Sequence, residues 1–515
     1  MELKYCMPTC VLMGRDCVRA NAAALAPIGK KALIVTGSSS SRANGSLADA
    51  LAALEANGQK SAIFDGIPEN PGLDCVYSGA ERARKEGCDF VIAVGGGSPM
   101  DAAKVIALLA VNDLPREDLL AGKVGDAALP LVHIPTTAGT GSEVTQYAII
   151  TNDEAETKTG IATPLFSPKL ALLDARYMES LSRRTMVNTV IDSLSHSIEG
   201  IVSKRATEIT DTLATTGISI VGECLLDLAE GTLSDEQRER LLLASTLGGM
   251  VIANTGTTAL HAMGYSLTYY RGIEHGRANG LLLVPFLGFI RRTRPDLTRK
   301  VLSSLRMNSL PALQFLLDRL LGERETISAQ EAARFAAKAI ASKNIANGAV
   351  PPSEADLVGV FAEAFGPSRA TANFNARNRS IIEFVRLGDY LPAEHVRTIP
   401  PRLRGVPPGS TEIPVEFELS AKFAATLRFS VPWDGKVLAF VRENEKLRSV
   451  FLGDMAKEPA KRRILVNDWG DAFLVTFENG ARDRETTVFV QSEEVRELFS
   501  RCSVLPEGDE VMGGP

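Results

Sequence analysis

Phe90-Val-Ile-Ala-Val-Gly-Gly-Gly-Ser-Pro-Met-Asp-Ala-Ala-Lys-Val-Ile-Ala-Leu-Leu109 is the stretch whose reading decides the fold. A continuous apolar run ends at Val94, which suits a parallel strand buried on both faces. Three glycines follow, and an apolar helical run opens at Ala102. Gly95, Gly96 and Gly97 let the backbone approach an anion, Ser98 is placed to cap the helix, and Pro99 fits its first turn. The free N–H groups of that helix end then face the anion, and a pyrophosphate is the expected guest. Asp101 caps the loop or reaches the far end of the same ligand. A bare glycine turn with nothing bound is the alternative, and the strand-before, helix-after context favours binding.

Working outward, the same alternation repeats. Ala32–Thr36 and Ser61–Phe64 read as strands, Leu47–Asn57 and Ala80–Glu86 as helices, and Leu131–Ile134 as a further strand. A second loop, Pro135-Thr-Thr-Ala-Gly-Thr-Gly-Ser-Glu143, follows that strand with hydroxyls and glycines interleaved, as suits a backbone wrapped around a nucleotide. Two such loops at strand ends predict a doubly wound α/β dinucleotide-binding domain over residues 1–180.

Beyond residue 180 the spacing turns helical, at Thr207–Leu226, Asp235–Ala253, Leu310–Leu321 and Ala329–Ser342. A helical domain is therefore expected over 181–385. After Pro400-Pro401 the pattern shifts again. Short β-type runs at Val437–Val441, Phe473–Phe477 and Thr486–Val490, with hairpin signals at Asp434-Gly435 and Asn479-Gly480, predict a small β-rich domain over 400–507 and a tail over 508–515.

A chain of 515 residues with 45% hydrophobic and 23% charged residues is globular and too long for one core. A net charge of -6 gives no general attraction to nucleic acid or to an anionic membrane, so neither is an expected partner. No apolar run reaches the length of a membrane span, no signal peptide opens the chain, and a cytoplasmic location is expected. Seven scattered cysteines read as reduced thiols, and Cys6, Cys10 and Cys17 as buried structural ones.

Only five histidines are present, and three stand where chemistry could use them. Asp192 and His196 lie four apart in an apolar helical run, so both project from one face. Alone, such a pair is as well explained by a surface contact. His261 sits in an apolar helical context, and His275 precedes a glycine. Together they make a set of three imidazoles and one carboxylate, which suits a borderline divalent ion such as Fe2+ or Zn2+.

With these motifs in order, the chain resembles the iron-containing (group III) alcohol dehydrogenase family from about residue 5 to 365. The resemblance rests on Asp65-Gly-Ile-Pro-Glu-Asn-Pro71, Gly95 to Lys104, Pro135 to Glu143, Asp192-Ser-Leu-Ser-His-Ser-Ile-Glu199, His261, and His275-Gly276. It implies a dinucleotide-binding α/β domain and an all-α metal-binding domain, the architecture also found in dehydroquinate synthase-like enzymes. It implies Asp192, His196, His261 and His275 as metal ligands. It implies Asn70, Gly96, Gly97, Ser98, Asp101, Thr136, Thr137, Thr145 and Lys158 as cofactor contacts. Many members carry a further histidine four residues after the third ligand; here Tyr265 stands there, a poor base at neutral pH but able to donate a hydrogen bond in the catalytic pocket. NAD-preferring relatives have an aspartate after the first strand. This chain has Gly37-Ser38 and, beyond them, Arg42, which could accept a 2'-phosphate, so NADP(H) is expected over NAD(H).

The expectation is a metal-dependent NAD(P)H oxidoreductase that interconverts a small aldehyde and its primary alcohol, a homo-oligomer such as a dimer, acting as an aldehyde reductase. Two alternatives stay open. One is an enzyme of the same architecture acting on a phosphorylated or phosphonate substrate, with Arg271, Arg277 and Lys204 as candidate anion binders. The other is a non-catalytic nucleotide-binding scaffold whose appended domain carries the function.

Overall fold

The computed structural model describes residues 4–307, 310–365 and eight strand segments between 402 and 491. It divides into two compact units, Met1–Ser304 with Leu317–Phe365, and Leu305–Leu316 with Gly366–Pro515.

The first unit is built on a six-stranded parallel sheet. Its strands are β1 (Cys10–Met13), β2 (Lys31–Thr36), β3 (Lys60–Phe64), β4 (Phe90–Gly95), β5 (Leu131–Pro135) and β8 (Leu170–Leu173), in the order β1-β8-β5-β4-β2-β3. Every neighbouring pair is parallel. β4 is buried at all six positions. Val91 and Ala93 enter the core on one face, Phe90, Ile92 and Val94 that on the other. This two-sided burial is why β4 reads as an unbroken apolar run rather than an alternating one. The chain leaves β2 for β3 on one side and returns to place β4 on the other. The crevice between the carboxyl ends of β2 and β4 is therefore the switch point at which such sheets bind ligands.

The expected strands and helices of this region are present, with two kinds of difference. The helix expected at Ala80–Glu86 starts earlier, at Leu73. β1, β8 and the antiparallel hairpin β6 (Tyr147–Asn152) and β7 (Thr157–Ala162) were not anticipated.

The helices of the region are α1 (Cys17–Ala20), α2 (Ser40–Ala43), α3 (Ser46–Ala56), α4 (Leu73–Glu86), α5 (Gly97–Leu109) and α6 (Arg116–Leu120). A second set follows: α7 (Arg183–Ile201), α8 (Glu208–Glu230), α9 (Asp235–Thr255), α10 (Ala259–Arg271), α11 (His275–Thr293), α12 (Pro295–Ser304), α13 (Leu310–Leu321), α14 (Ala329–Ile340) and α15 (Glu354–Phe365). Their starts are chemically marked. Ser182 accepts the Thr185 amide at α7, and full capping boxes open α8 at Thr207, α9 at Ser234 and α14 at Ser328. Each such cap contributes about 1 kcal/mol.

The second unit contains strands β9 (Arg402–Leu403), β10 (Glu412–Glu418), β11 (Thr426–Pro432), β12 (Val437–Glu443), β13 (Lys446–Gly453), β14 (Arg462–Asp468), β15 (Ala472–Asn479) and β16 (Glu485–Gln491). They form antiparallel sheets β11-β10-β9, β12-β13 and β14-β15-β16. β15 ends at Asn479 and pairs with β16, as the Asn479-Gly480 signal predicts. Asp434-Gly435, residues 366–385 and the tail over 508–515 lie outside the described residues.

Among the described residues no helix is long and apolar enough to cross a membrane. The described cysteines are free thiols. Cys17 is buried as expected, but Cys6 and Cys10 are exposed. They lie in the leading segment and on β1, which is half-exposed and pairs only with β8 in the sheet.

Candidate metal centre and nucleotide cleft

Asp192, His196 and Glu199 share one face of α7 at positions i, i+4 and i+7, and all three are buried. α10 supplies His261, three residues past its first boundary residue Thr258, and α11 begins at His275. His261 Nε2 lies 3.0 Å from His196 Nε2 and 3.7 Å from Asp192 Oδ1. His275 Nε2 is also 3.7 Å from Asp192 Oδ1. Ligand atoms of Asp192, His261 and His275 fall within 4.8 Å of one another.

This donor set fits a divalent ion. Ligands bound at about 2.1 Å to one centre stand roughly 3.0–3.5 Å apart, close to the spacings here. Burial lowers the pKa of His196 and lowers that of His275 well below the usual value, so both are neutral and carry free lone pairs. Burial pushes the Asp192 carboxyl up, but the three imidazoles more than reverse it and hold it ionised. The Nε2 atoms of His196 and His261, 3.0 Å apart beside an ionised carboxylate, are an arrangement that suits a shared cation.

The residues behind the donors were not identified from sequence. Glu199 Oε2 accepts from His261 Nδ1, and its Oε1 accepts from the Thr258 amide at 2.7 Å, the Thr258 hydroxyl at 2.6 Å and the His261 amide at 3.3 Å. Burial alone would lower the His261 pKa; the Glu199 carboxylate reverses that and raises it. Glu199 thereby fixes the tautomer that presents Nε2 to the centre. His196 Nδ1 faces Gly139 O at 3.3 Å, a carbonyl of the loop after β5. Asn279 Nδ2 donates to Asp192 Oδ1 at 3.0 Å. The i+7 spacing of Glu199 from Asp192 is the one signal that could have found it.

Tyr265 stacks on His275 with ring centroids 5.4 Å apart. Burial, with Glu199 and Asp192 adding repulsion, raises its pKa further above the phenol's ordinary value, so it stays protonated at neutral pH.

The donors open onto a cleft of about 720 Å³ that is also lined by Asn70, Gly97, Ser98, Asp101, Thr145 and Lys158. The structure brings these predicted contacts together with the metal set. Gly37, Ser38, Arg42, Gly96, Thr136 and Thr137 do not line this cleft; all but Arg42 stand just past the carboxyl ends of the neighbouring strands β2, β4 and β5. Ser98 is not the helix cap that the sequence predicts. α5 starts at Gly97, two residues before the start that a Ser98 cap would give, with extended Gly96 before it, and the Ser98 hydroxyl instead accepts the Asn70 amide at 3.2 Å. Asp101 accepts from Ser142 Oγ at 2.6 Å and from the Ile149 amide at 3.0 Å, which ties the glycine loop to the second loop and to β6. Thr145 Oγ1 accepts from buried Lys104 Nζ at 3.1 Å, alongside Ser142 Oγ and Tyr147 O, each at 2.7 Å. Arg42 Nη2 donates to Asp65 at 2.7 Å.

The second loop has a packing role besides any contact with a ligand. Gly141, at φ +60°, lies against Gly249 of α9, where an added Cβ would come within 2.4 Å of the Gly249 Cα. No side chain fits between the two backbones.

The three cations nominated for an anionic substrate do not line the cleft. Arg271 is held by Glu331 and Arg277 by Glu325, and Lys204 is exposed. Paired guanidinium groups are already neutralised and serve packing of the helical layer.

A doubly wound sheet with a glycine loop, sharing one cleft with four metal-type donors on a helical layer, defines a nucleotide-and-metal architecture. The family model for iron-containing alcohol dehydrogenases matches residues 8–175, and that for the C-terminal part of the Fe-containing alcohol dehydrogenase family matches 186–365. Alcohol dehydrogenase 4 of Schizosaccharomyces pombe is 34% identical over 289 residues, 54% of this chain and 66% of that protein. Lactaldehyde reductase of Escherichia coli is 33% identical over 258 residues, 49% of this chain and 66% of that protein. The matched stretch thus falls just short of two thirds of either relative. A crystal structure of an iron-containing alcohol dehydrogenase from Thermotoga maritima is 38% identical with a TM-score of 0.66, covering 71% of this chain and 99% of that one. The chain belongs to the iron-containing alcohol dehydrogenase family.

Proposed function

We propose that the protein is a metal-dependent NAD(P)H oxidoreductase that reduces a small aldehyde to its primary alcohol: aldehyde, NAD(P)H and a proton give alcohol and NAD(P)+. The observation that carries this reading is the convergence of Asp192, His196, His261 and His275 on a cleft that also holds the glycine loop. In it, residues 1–180 supply the nucleotide site and 181–385 the metal site. A bound Fe2+ or Zn2+ supplies Lewis acidity toward a carbonyl, and the nicotinamide supplies the hydride. Asp192 and the three imidazoles hold the ion, Glu199 sets the His261 tautomer, and Tyr265 Oη offers a hydrogen-bond donor beside His275. Gly96, Gly97, Ser98 and Asn70 receive the pyrophosphate, with Asp101, Thr136, Thr137, Thr145 and Lys158 around the remainder.

NADP(H) is favoured within this reading because Gly37 and Ser38 leave no acid after β2. The Arg42 pair with Asp65 is about half exposed on both sides. Such pairs contribute about 0–1 kcal/mol, so a 2'-phosphate can draw Arg42 away. Free thiols support a cytoplasmic setting.

The test is His261→Ala in protein purified anaerobically with metal analysis. Loss of both bound metal and turnover is expected, with circular dichroism unchanged. Full metal content and full activity in that variant would sink the assignment.

A further inference from the structure

The cleft carries a second group of side chains that the metal and nucleotide roles leave unused, centred on Arg205, Lys343, Asn344 and Asn347. Arg205 is solvent-exposed, as Lys204 is, but unlike Lys204 it lines the cleft, and its backbone is firmly placed. An antiparallel bridge joins Ser203 to Gly348, the Lys204 amide donates to Asn347 O at 2.8 Å, the Ala349 amide donates to Val202 O at 2.8 Å, and the Arg205 amide donates to Ser203 Oγ at 3.2 Å. Its guanidinium donates to Asn347 Oδ1. Asn347 is itself held by Nδ2 on Thr257 O at 2.9 Å, and Asn344 Nδ2 donates to Thr257 Oγ1 at 2.9 Å. A Cβ at Gly256 would lie 2.7 Å from Arg205 Nη2 and 2.7 Å from Asn347 Nδ2, so the absence of a side chain there makes the room that the guanidinium occupies.

This arrangement orients a cation without neutralising it. Among the described residues no carboxylate pairs with Arg205 or with Lys343. Arg205 has five donors, and among the described residues its guanidinium is given one hydrogen-bond partner, the neutral amide of Asn347. It is also linked to the metal donors through the chain's own framework: Thr257, which braces Asn347 and Asn344, adjoins Thr258. His261 follows three residues later, about 4.5 Å of helix rise.

We infer that the substrate is a short-chain aldehyde carrying a terminal anion, with Arg205 gripping the carboxylate, sulfonate or phosphonate while the carbonyl faces the His261 end of the cleft. Lys343 adds to the same field. The inference rests on the reductase reading above and narrows its substrate class. A planar guanidinium matches such oxyanions with two parallel hydrogen bonds, which a neutral alkyl aldehyde cannot engage.

The experiment compares kcat/KM of the metal-loaded full chain for propanal and butanal with that for succinic semialdehyde, sulfoacetaldehyde and phosphonoacetaldehyde. At least one anionic aldehyde should be preferred by about 10- to 100-fold, the range that a charged hydrogen-bonded contact supplies. The three anionic arms identify which oxyanion fits. Arg205→Gln should erase that preference through KM for the anionic aldehyde, and Arg205→Lys should restore part of it. Calorimetric binding of ethylphosphonate, which cannot be reduced, should weaken in parallel. Should the Gln variant fold poorly, added salt applied to the wild type gives the same reading: KM should rise for anionic aldehydes and stay level for neutral ones. Equal kcat/KM for neutral and anionic aldehydes overturns this inference and leaves the reductase reading intact. A rise in KM for NAD(P)H with every aldehyde in Arg205→Gln also overturns it, since Arg205 then serves the cofactor. No reduction of any aldehyde by metal-loaded protein overturns the reductase reading itself.

Discussion

Glu199 is the residue on which the geometry of the metal set most depends. It is fully buried and takes every donor at the start of α10 that faces it, including His261 Nδ1. Glu199→Gln should lower metal affinity by about 10- to 100-fold, measured by competition with a chromophoric chelator. Unaltered affinity would show that His261 needs no carboxylate behind it. Lys104 is the second such residue. Its ammonium is wholly buried, and burial brings its pKa down to about 8 from 10.5. Lys104→Met leaves Ser142, Thr145 and Tyr147 O without their donor and should destabilise the fold by about 1–3 kcal/mol in urea unfolding. Because the folded-state pKa is the lower one, the unfolded chain binds more protons between pH 8 and 10.5. Stability contributed by Lys104 therefore rises with pH across that window and is least below pH 8. The wild type should gain on Lys104→Met as pH climbs from 8 to 10.5; a constant difference would refute the depressed pKa. At this scale the sequence was partly legible. Asp192 and His196 stand out as a pair by spacing, though spacing alone does not tell a ligand pair from a surface contact. Glu199 and Lys104 look like any charged residue on a helix, because nothing local tells a buried charge from a solvated one.

Among the elements, the loop after β5 meets α9 with backbone against backbone. A Cβ on Gly249 would lie 2.4 Å from Gly141 O and 2.8 Å from Val144 Cγ2. Gly249→Ala should cost about 1–3 kcal/mol by overpacking, read from a urea titration. The same loop offers Gly139 O to His196, so the variant should also bind metal more weakly than the wild type. Stability and metal affinity both equal to wild type would show that the loop yields freely. β2, β4 and β5 were readable because strands buried on both faces leave unbroken apolar runs, and edge strand β3 from its apolar end at Ala62–Phe64. β1 and the β6–β7 hairpin were not. β1 is short and half exposed, and the hairpin mixes buried with half-exposed positions while its Thr157–Ala162 strand carries lysine and glycine. That hairpin nevertheless brings Lys158 to the cleft.

Across the whole molecule, the order of motifs along the chain revealed the architecture that no single one could. His261 and His275 are unremarkable where they stand, and they became ligands only through resemblance, since their meeting with α7 depends on helix packing over about seventy residues. The nominated arginines failed for the matching reason: Arg271 and Arg277 find acids that are distant in sequence, Glu331 and Glu325. Glu199 holds the start of α10 with hydrogen bonds that are complete within the protein itself. Those bonds need no ion, so the helix that carries His261 is expected to hold its place without one, unlike small zinc modules in which binding and folding are one event. Uptake of Zn2+ by metal-free protein should then proceed with a heat-capacity change near zero, because almost no apolar surface is newly covered. A large negative value in a temperature series of calorimetric titrations would mean that the segment orders only on loading. A chain prepared in this way should keep its shape through metal exchange, which would leave the identity of the ion to supply and not to folding.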